Sequence, residues 1–268
     1  MRFYDPSTDP PEQLDSATLF PKCEDIDATQ RCLKLGLLPS VTSVLSVIRQ
    51  EYLERWKMSE AIKNYRRHGN AWLAVDEHYS LDSKESAFGT QVHEIIHQFA
   101  TGKPMGNGKP LEHALPAIKW LRENVQDFLI SEGTVACNQT GAAGTIDLAF
   151  TNKAGEEIIG DLKVVKIRKD YPTIPPLGYR CQLSAYNQML KVKTGIDRKR
   201  LSLYLASPFG DQPNPRLLIF PYKNDYYPKF QACLALWHSQ YGFDYEEVQN
   251  IIPAAPPSHF DPLAFKRP

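Results

Sequence analysis

Apolar and polar positions alternate most clearly near the middle of the chain. Ile146, Leu148 and Phe150 alternate with Asp147 and Ala149, and residues 157–165 form a second β-rich run. Asn152, Lys153, Ala154 and Gly155 between them supply turn chemistry, so the two runs are expected to form a β-hairpin. On its second strand Asp161 and Lys163 face one way with Ile159 and Val165, while Ile158, Leu162 and Val164 face the other. The loop decides the register. An odd number of loop residues centred on Ala154 sets Asp147 directly across from Asp161 on one face, with Cβ atoms about 4.5 to 5.5 Å apart. An even number sends the two carboxylates to opposite faces.

Elsewhere the pattern is mostly helical. Ser40 or Thr42 can cap a helix carrying Val44, Leu45 and Val47, and further helices are expected over 52–65, 90–100, 115–130, 179–193 and 229–241. Additional strands are expected at 134–138, 201–206 and 217–220. Residues 1–38 are rich in Pro, Asp and Ser with little periodicity and read as an N-terminal extension or irregular wrap. Prolines gather again in 246–268, which reads as a tail, leaving 39–245 as the folded domain. This order of elements favours an α/β fold with a mixed sheet flanked by helices.

Composition narrows the class. The chain has 268 residues, 42% of them hydrophobic, which is enough for a full core in one globular domain. Acidic and basic residues number 31 each, so any basic surface must be local. Arg66-Arg67-His68, Lys163 through Lys169, and Arg198-Lys199-Arg200 are the local clusters. Cysteines at 23, 32, 137, 181 and 233 show no C-x-x-C spacing, which argues against a zinc ribbon or a disulfide framework and for a reducing compartment. The N-terminus lacks a basic region followed by an apolar run, and no stretch approaches the ~18 apolar residues of a membrane span. A cytoplasmic protein without a membrane partner is therefore expected.

Two motifs carry chemistry. Gly144-Thr145-Ile146-Asp147, followed by Asp161-Leu162-Lys163, brings two carboxylates and a lysine together if the loop is odd. Like charges so placed destabilise a sheet unless something positive lies between them, and a hard divalent cation with oxygen ligands fits. A solvated hairpin with scattered charges is the other reading of these residues alone. The second motif is His93-Glu94-Ile95-Ile96-His97, a literal H-E-x-x-H that could chelate zinc from one helix face. Its metzincin continuation fails at Ala100 and Lys103, although Glu123 on the next expected helix could complete a glutamate-type zinc metallopeptidase site. A histidine hydrogen-bonded beside the apolar stripe of Val92, Ile95, Ile96 and Phe99 is the structural alternative.

In order, the chain offers Leu38-Pro39-Ser40-Val41-Thr42, Tyr52-Leu53-Glu54-Arg55-Trp56-Lys57, Gly89-Thr90-Gln91-Val92-His93, Glu132, Gly144-Thr145-Ile146-Asp147, Asp161-Leu162-Lys163 and Gln182-Leu183-Ser184-Ala185-Tyr186. This set resembles the PD-(D/E)XK nuclease superfamily over roughly residues 38 to 240. Within it the chain is similar to the RecB-type exonuclease branch, which includes the mitochondrial genome maintenance exonuclease and related phage exonucleases. The resemblance implies a restriction-endonuclease-like mixed central β-sheet flanked by helices, with an N-terminal helical arch through which a single strand of DNA threads.

It further implies that His93, Asp147, Asp161 and the backbone carbonyl of Leu162 ligate Mg²⁺ or Mn²⁺, with Lys163 as the catalytic lysine. Gln182 would orient the lysine or the scissile phosphate, Tyr186 would face the site one turn further on, and Glu132 would lie nearer its edge. Ile159-Gly160 stand where the superfamily's name has a proline. Relatives with an iron-sulfur cluster carry several late cysteines, and here only Cys233 is late, so no cluster is expected. Arg55, Trp56, Lys57, Arg66, Arg67, Lys166, Arg168 and Tyr171 are candidate contacts to DNA phosphates and bases. The activity implied is metal-dependent exonuclease cleavage of DNA from free ends in replication, recombination or repair. A catalytically inactive nuclease-fold module that only binds DNA is the alternative within the same fold.

Overall fold

The computed structural model describes residues 1–21, 23–48, 59, 62–63, 65–67, 69, 71–167, 175–208 and 215–241, with 71–85, 166–167 and 207–208 described by their backbone. Five strands form the central sheet in the order β4 (Val125–Cys137), β5 (Ala142–Asn152), β6 (Glu157–Ile167), β7 (Lys199–Pro208) and β8 (Arg216–Tyr222). β6 and β7 are parallel and the other neighbours antiparallel, so the sheet is mixed. The parallel pair needs a long crossover, which Leu177–Thr194 supplies as a helix.

Seven α-helices are described: α1 (Ser16–Leu19), α2 (Asp25–Lys34), α3 (Val41–Val44), α4 (Ala71–Ala100), α5 (Lys109–Asn124), α6 (Leu177–Thr194) and α7 (Tyr227–Gln240). α4 and α5 join Leu148, Phe150, Ile158, Leu162, Leu201, Leu203 and Leu205 of the sheet through Val92, Ile95, Ile96, Ala117, Ile118 and Leu121. A second cluster joins Val135, Ile146 and Ile159 to Cys181, Leu183 and Met189 of α6 and to Phe230, Leu234 and Trp237 of α7. Burial of each large side chain in these two layers contributes about 1.5 to 3 kcal/mol. No helix among the described residues is long and apolar enough to cross a membrane.

The expected hairpin forms with the odd loop. Leu148 pairs with Gly160, Ala149 with Ile159, Phe150 with Ile158 and Thr151 with Glu157, leaving five residues centred on Ala154. Asn152 organises that loop by accepting the backbone N–H groups of Ala154 and Glu156 on its side-chain oxygen, and Gly155 takes the left-handed φ of 78° that the turn requires.

Three expectations are corrected. The helix expected over 115–130 ends at Asn124, and β4 begins at Val125, nine residues before the strand expected at 134. Leu121, Val125 and Phe128 continue a helical spacing, but they pack against the same layer from the end of α5 and the start of β4. The helix expected at 90–100 runs from Ala71. The first 38 residues are not irregular: β1 (Arg2–Asp5), β2 (Glu12–Asp15) and β3 (Leu38–Pro39) form a small sheet in the order β2-β1-β3. Phe3 and Cys32 of this region are fully buried in the layer with Trp237. Of the helical segment expected at 52–65, residues 59, 62–63 and 65 are described and helical; the rest, and with it most of the expected arch, lies outside the described residues, as does the tail at 246–268.

Candidate metal centre

Three adjacent strands each bring one acid to the same line across the sheet. Ser131 pairs with Leu148 and Gly133 with Ile146, so Glu132 of β4 stands across from Asp147 of β5. Continuing the hairpin register from Leu148–Gly160 sets Asp147 across from Asp161 of β6. Neither acidic pair belongs to a regular ladder. At this line β4 carries the one positive φ of a residue other than glycine among the described residues, Glu132 at 49°. Such a conformation costs roughly 1 to 3 kcal/mol and is sustained only where the surroundings dictate it.

Between β5 and β6 the ladder ends at Leu148–Gly160, and a side chain takes over. Asp147 accepts the Leu162 backbone N–H on Oδ2 at 2.7 Å. Its other oxygen, Oδ1, lies 3.8 Å from His93 Nδ1, and that nitrogen is 3.1 Å from Glu132 Oε1. One donor atom from each of His93, Glu132 and Asp147 falls within a 4.8 Å span, in reach of a single ion. His93 comes from α4, held against the sheet by the buried Val92 and Ile96 on either side.

Lys163 lies on the other flank of Asp147. Its ammonium donates to Asp161 Oδ1 at 2.5 Å and to the Leu162 carbonyl at 3.1 Å. Asp161 is 2% exposed, and its second oxygen, Oδ2, has no hydrogen-bond partner among the described residues. A buried, unpaired carboxylate oxygen costs several kcal/mol unless a cation reaches it.

The electrostatics follow from this crowding. Burial raises the Asp161 carboxyl to about 6, outweighing the Lys163 charge beside it. Burial likewise raises Asp147, against the pull of Lys163 and His93. Burial works against the charged forms of His93 and Lys163, yet both are raised: His93 by the Glu132 hydrogen bond and the Asp147 charge, Lys163 by Asp161 and Asp147. The cluster thus favours the charged form of both bases and the protonated form of both acids.

A cleft of about 650 Å³ opens onto these groups. Its lining includes His93, Glu132, Asp147 and Lys163, with Tyr179, Gln182 and Tyr186 of α6 and Arg2 and Tyr4 of β1. Gln182 hydrogen-bonds the Tyr186 hydroxyl, and Tyr186 fits against bare backbone: a Cβ on Gly144 would come 2.5 Å from that hydroxyl. Gly144 is needed for this close approach.

The expected site residues His93, Asp147, Asp161, Leu162, Lys163, Gln182 and Tyr186 therefore come together. Glu132, expected near the edge, is in direct contact with His93. The two histidines of H-E-x-x-H part company: His97 Nδ1 is 3.0 Å from Ser131 Oγ, and Glu94 accepts from Gln98 at the exposed surface. Glu123 is exposed on α5 and takes no part in the cluster.

Of the expected DNA contacts, Arg66 and Arg67 are exposed and do not line the cleft. Arg55, Trp56, Lys57, Arg168 and Tyr171 lie outside the described residues, as does the side chain of Lys166. The Arg198-Lys199-Arg200 cluster is tied to acids, Arg198 to Glu157, Lys199 to Glu156 and Arg200 to Asp225. Tyr179 was not singled out from the sequence, although its spacing of three residues before Gln182 places both on one helix face. Nothing local in the sequence points to Arg2 or Tyr4, which reach the cleft by tertiary packing.

Compared with models of known protein families and with curated proteins, the chain gives no match. Among solved structures it is similar to a candidate exonuclease from Eubacterium rectale, at 14% identity and a TM-score of 0.40, over 62% of this chain and 69% of that one. It is also similar to SSO0001, at 14% identity and a TM-score of 0.37, over 75% of each chain.

Proposed function

We propose that the protein is a divalent-metal-dependent DNA nuclease of the PD-(D/E)XK type, acting as an exonuclease on free ends of single-stranded DNA. One observation carries the reading: Glu132, Asp147 and Asp161 stand in line on three adjacent strands, with His93 beside Glu132 and Asp147 and Lys163 on Asp161, and one cleft is lined by His93, Glu132, Asp147 and Lys163. The exonuclease and single-strand aspects rest on the motif resemblance.

The donor set fits a hard divalent cation. It is mostly carboxylate and carbonyl oxygen with one imidazole, which suits Mg²⁺ or Mn²⁺ and leans towards Mn²⁺. The unpartnered Asp161 Oδ2 is a further donor without a task in the protein alone. His93, Asp147 and Asp161, with the Leu162 carbonyl, would hold the ion, and Glu132 would join them from β4. Such an ion would supply neutralisation of the phosphate oxygens and an activated water.

The chain's own groups do the rest. Lys163, with its proton held by Asp161 and Asp147, is suited to donate to a phosphate oxygen and to fix the attacking water rather than to remove its proton. Gln182, tethered through Tyr186, presents an amide to the same side of the cleft. Arg2 adds a guanidinium at the wall for a backbone phosphate.

The test is cleavage of end-labelled single-stranded, double-stranded and circular DNA with Mg²⁺ or Mn²⁺ by the wild type, Asp161→Ala and Lys163→Ala. Cleavage of linear strands by the wild type, with at least a hundredfold loss in both variants, is expected. Variants that cut like wild type would sink the site, and rapid cutting of closed circles would sink the end-directed reading.

A further inference from the structure

We propose that Tyr179 is the positioning residue of Lys163: its ring face retains the ammonium when a divalent cation takes the Leu162 carbonyl and the Asp161 carboxylate that the ammonium now binds. The proposal rests on the nuclease reading above and adds to it a residue that reading does not use.

The starting point is a conflict of occupancy. The Lys163 ammonium sits on the Asp161 carboxylate, through Oδ1, and on the Leu162 carbonyl; the same carboxylate, through its open Oδ2, and the same carbonyl are assigned to the metal. A divalent cation and an ammonium repel each other, compete for the Leu162 carbonyl and draw on the charge of one carboxylate, so loading the site loosens both of these bonds. A four-carbon side chain freed at its tip spreads over many rotamers, and only a fraction of them would reach a phosphate.

Tyr179 provides a contact that the metal does not take. The Lys163 Nζ lies 4.9 Å from the centroid of the Tyr179 ring, within the range in which a ring face attracts a cation. A neutral ring is a poor ligand for Mg²⁺ or Mn²⁺, so this attraction survives loading of the carboxylates.

The ring is itself braced at the right place. Tyr179 meets Tyr204 edge-on at 6.3 Å, and Tyr204 meets Phe220 edge-on at 5.1 Å. Tyr204 is 1% exposed and stands directly across the parallel β6–β7 pairing from Lys163. One rigid aromatic row therefore refers the ring to the strand position that carries the lysine. Tyr179 also lines the cleft beside Gln182, so an ammonium held over its face stays on the substrate side.

The experiment uses the full-length protein with Tyr179→Phe, Tyr179→Leu and pentafluorophenylalanine at position 179, which keeps the ring's shape while reversing its quadrupole. Phe should keep kcat within about twofold, and Leu and the fluorinated ring should each lower it about tenfold, with KM and Mg²⁺ affinity unchanged. A ring that merely fills space would be replaced equally well by the fluorinated one, and that result overturns the proposal.

A second readout needs no cleavage. With ¹³C-labelled lysine, the ε-methylene resonance assigned through Lys163→Arg should be shifted upfield by the ring, should stay shifted on saturation with Mg²⁺, and should lose the shift in Tyr179→Leu. Loss of the upfield shift on adding Mg²⁺ to the wild type overturns the proposal even if every variant folds. A wild type that keeps the shift with Mg²⁺ but cuts no DNA would instead refute the nuclease reading and leave the ring contact established.

Discussion

Asp147 accepts the backbone N–H of Leu162 at 2.7 Å, so one carboxylate both closes the sheet where its ladder stops and, on the proposed reading, offers a metal donor. These two duties can be separated by substitution. Asp147→Asn keeps an oxygen for the N–H but loses the charge, whereas Asp147→Ala loses both and leaves a donor unsatisfied. Calorimetric titration should find Mn²⁺ binding lost in both variants, while chemical unfolding finds Asp147→Ala less stable than Asp147→Asn by about 1 to 3 kcal/mol. Equal stabilities would mean that the Leu162 bond contributes nothing.

Glu132 allows a similar separation, because its backbone is strained and its side chain is used. Glycine adopts a φ of 49° freely and alanine does not. Glu132→Gly should therefore exceed Glu132→Ala in stability by about 1 kcal/mol, measured by urea unfolding. Both should weaken metal binding roughly ten- to a hundredfold, since both lose the carboxylate beside His93.

The two histidines of H-E-x-x-H should behave unlike each other. His93→Ala removes a donor of the acidic cluster and should abolish metal-dependent cleavage. His97→Ala removes a hydrogen bond to Ser131 and should cost about 1 kcal/mol of stability, with activity retained. A zinc peptidase would need both, so comparable losses of metal in the two variants would revive that reading.

The acid limb of stability should carry the mark of His238. Burial beside Trp237 pushes its imidazole down to about 4, against an ordinary value of 6.5. Between these values the unfolded chain binds the proton and the folded chain does not, so stability is lost as pH falls through this window, by up to about 3 kcal/mol. Asp161, raised to about 6, contributes with the opposite sign, being better protonated in the folded state. Unfolding free energies from pH 7 to 4 should accordingly fall less steeply in His238→Gln than in wild type.

What the sequence disclosed follows the range of the interactions. The hairpin register was legible because it needs only alternation and loop parity, both local to residues 146–165. Glu132 was harder to place, because its role depends on a left-handed backbone and on pairing with a strand that helical spacing had partly hidden. Tyr179 was within reach by helical spacing from Gln182, but its value appears only once Lys163 is seen over its ring. Arg2 and Tyr4 were not legible at all, since neither shares a local pattern with the acids they approach.

The small sheet at the start of the chain also bears on how the cleft comes into being. Tyr4 meets Thr145 across 141 positions of sequence, Ser40 bridges to Ala143, and Gln30 donates to the Tyr241 carbonyl. Contacts of such separation form late, after the entropy of closing long loops has been overcome. For protein engineers the consequence is direct: trimming the first 39 residues would remove the wall of the cleft that Arg2 and Tyr4 form, and a fragment starting at residue 40 should fold poorly and, on the proposed nuclease reading, fail to cut DNA.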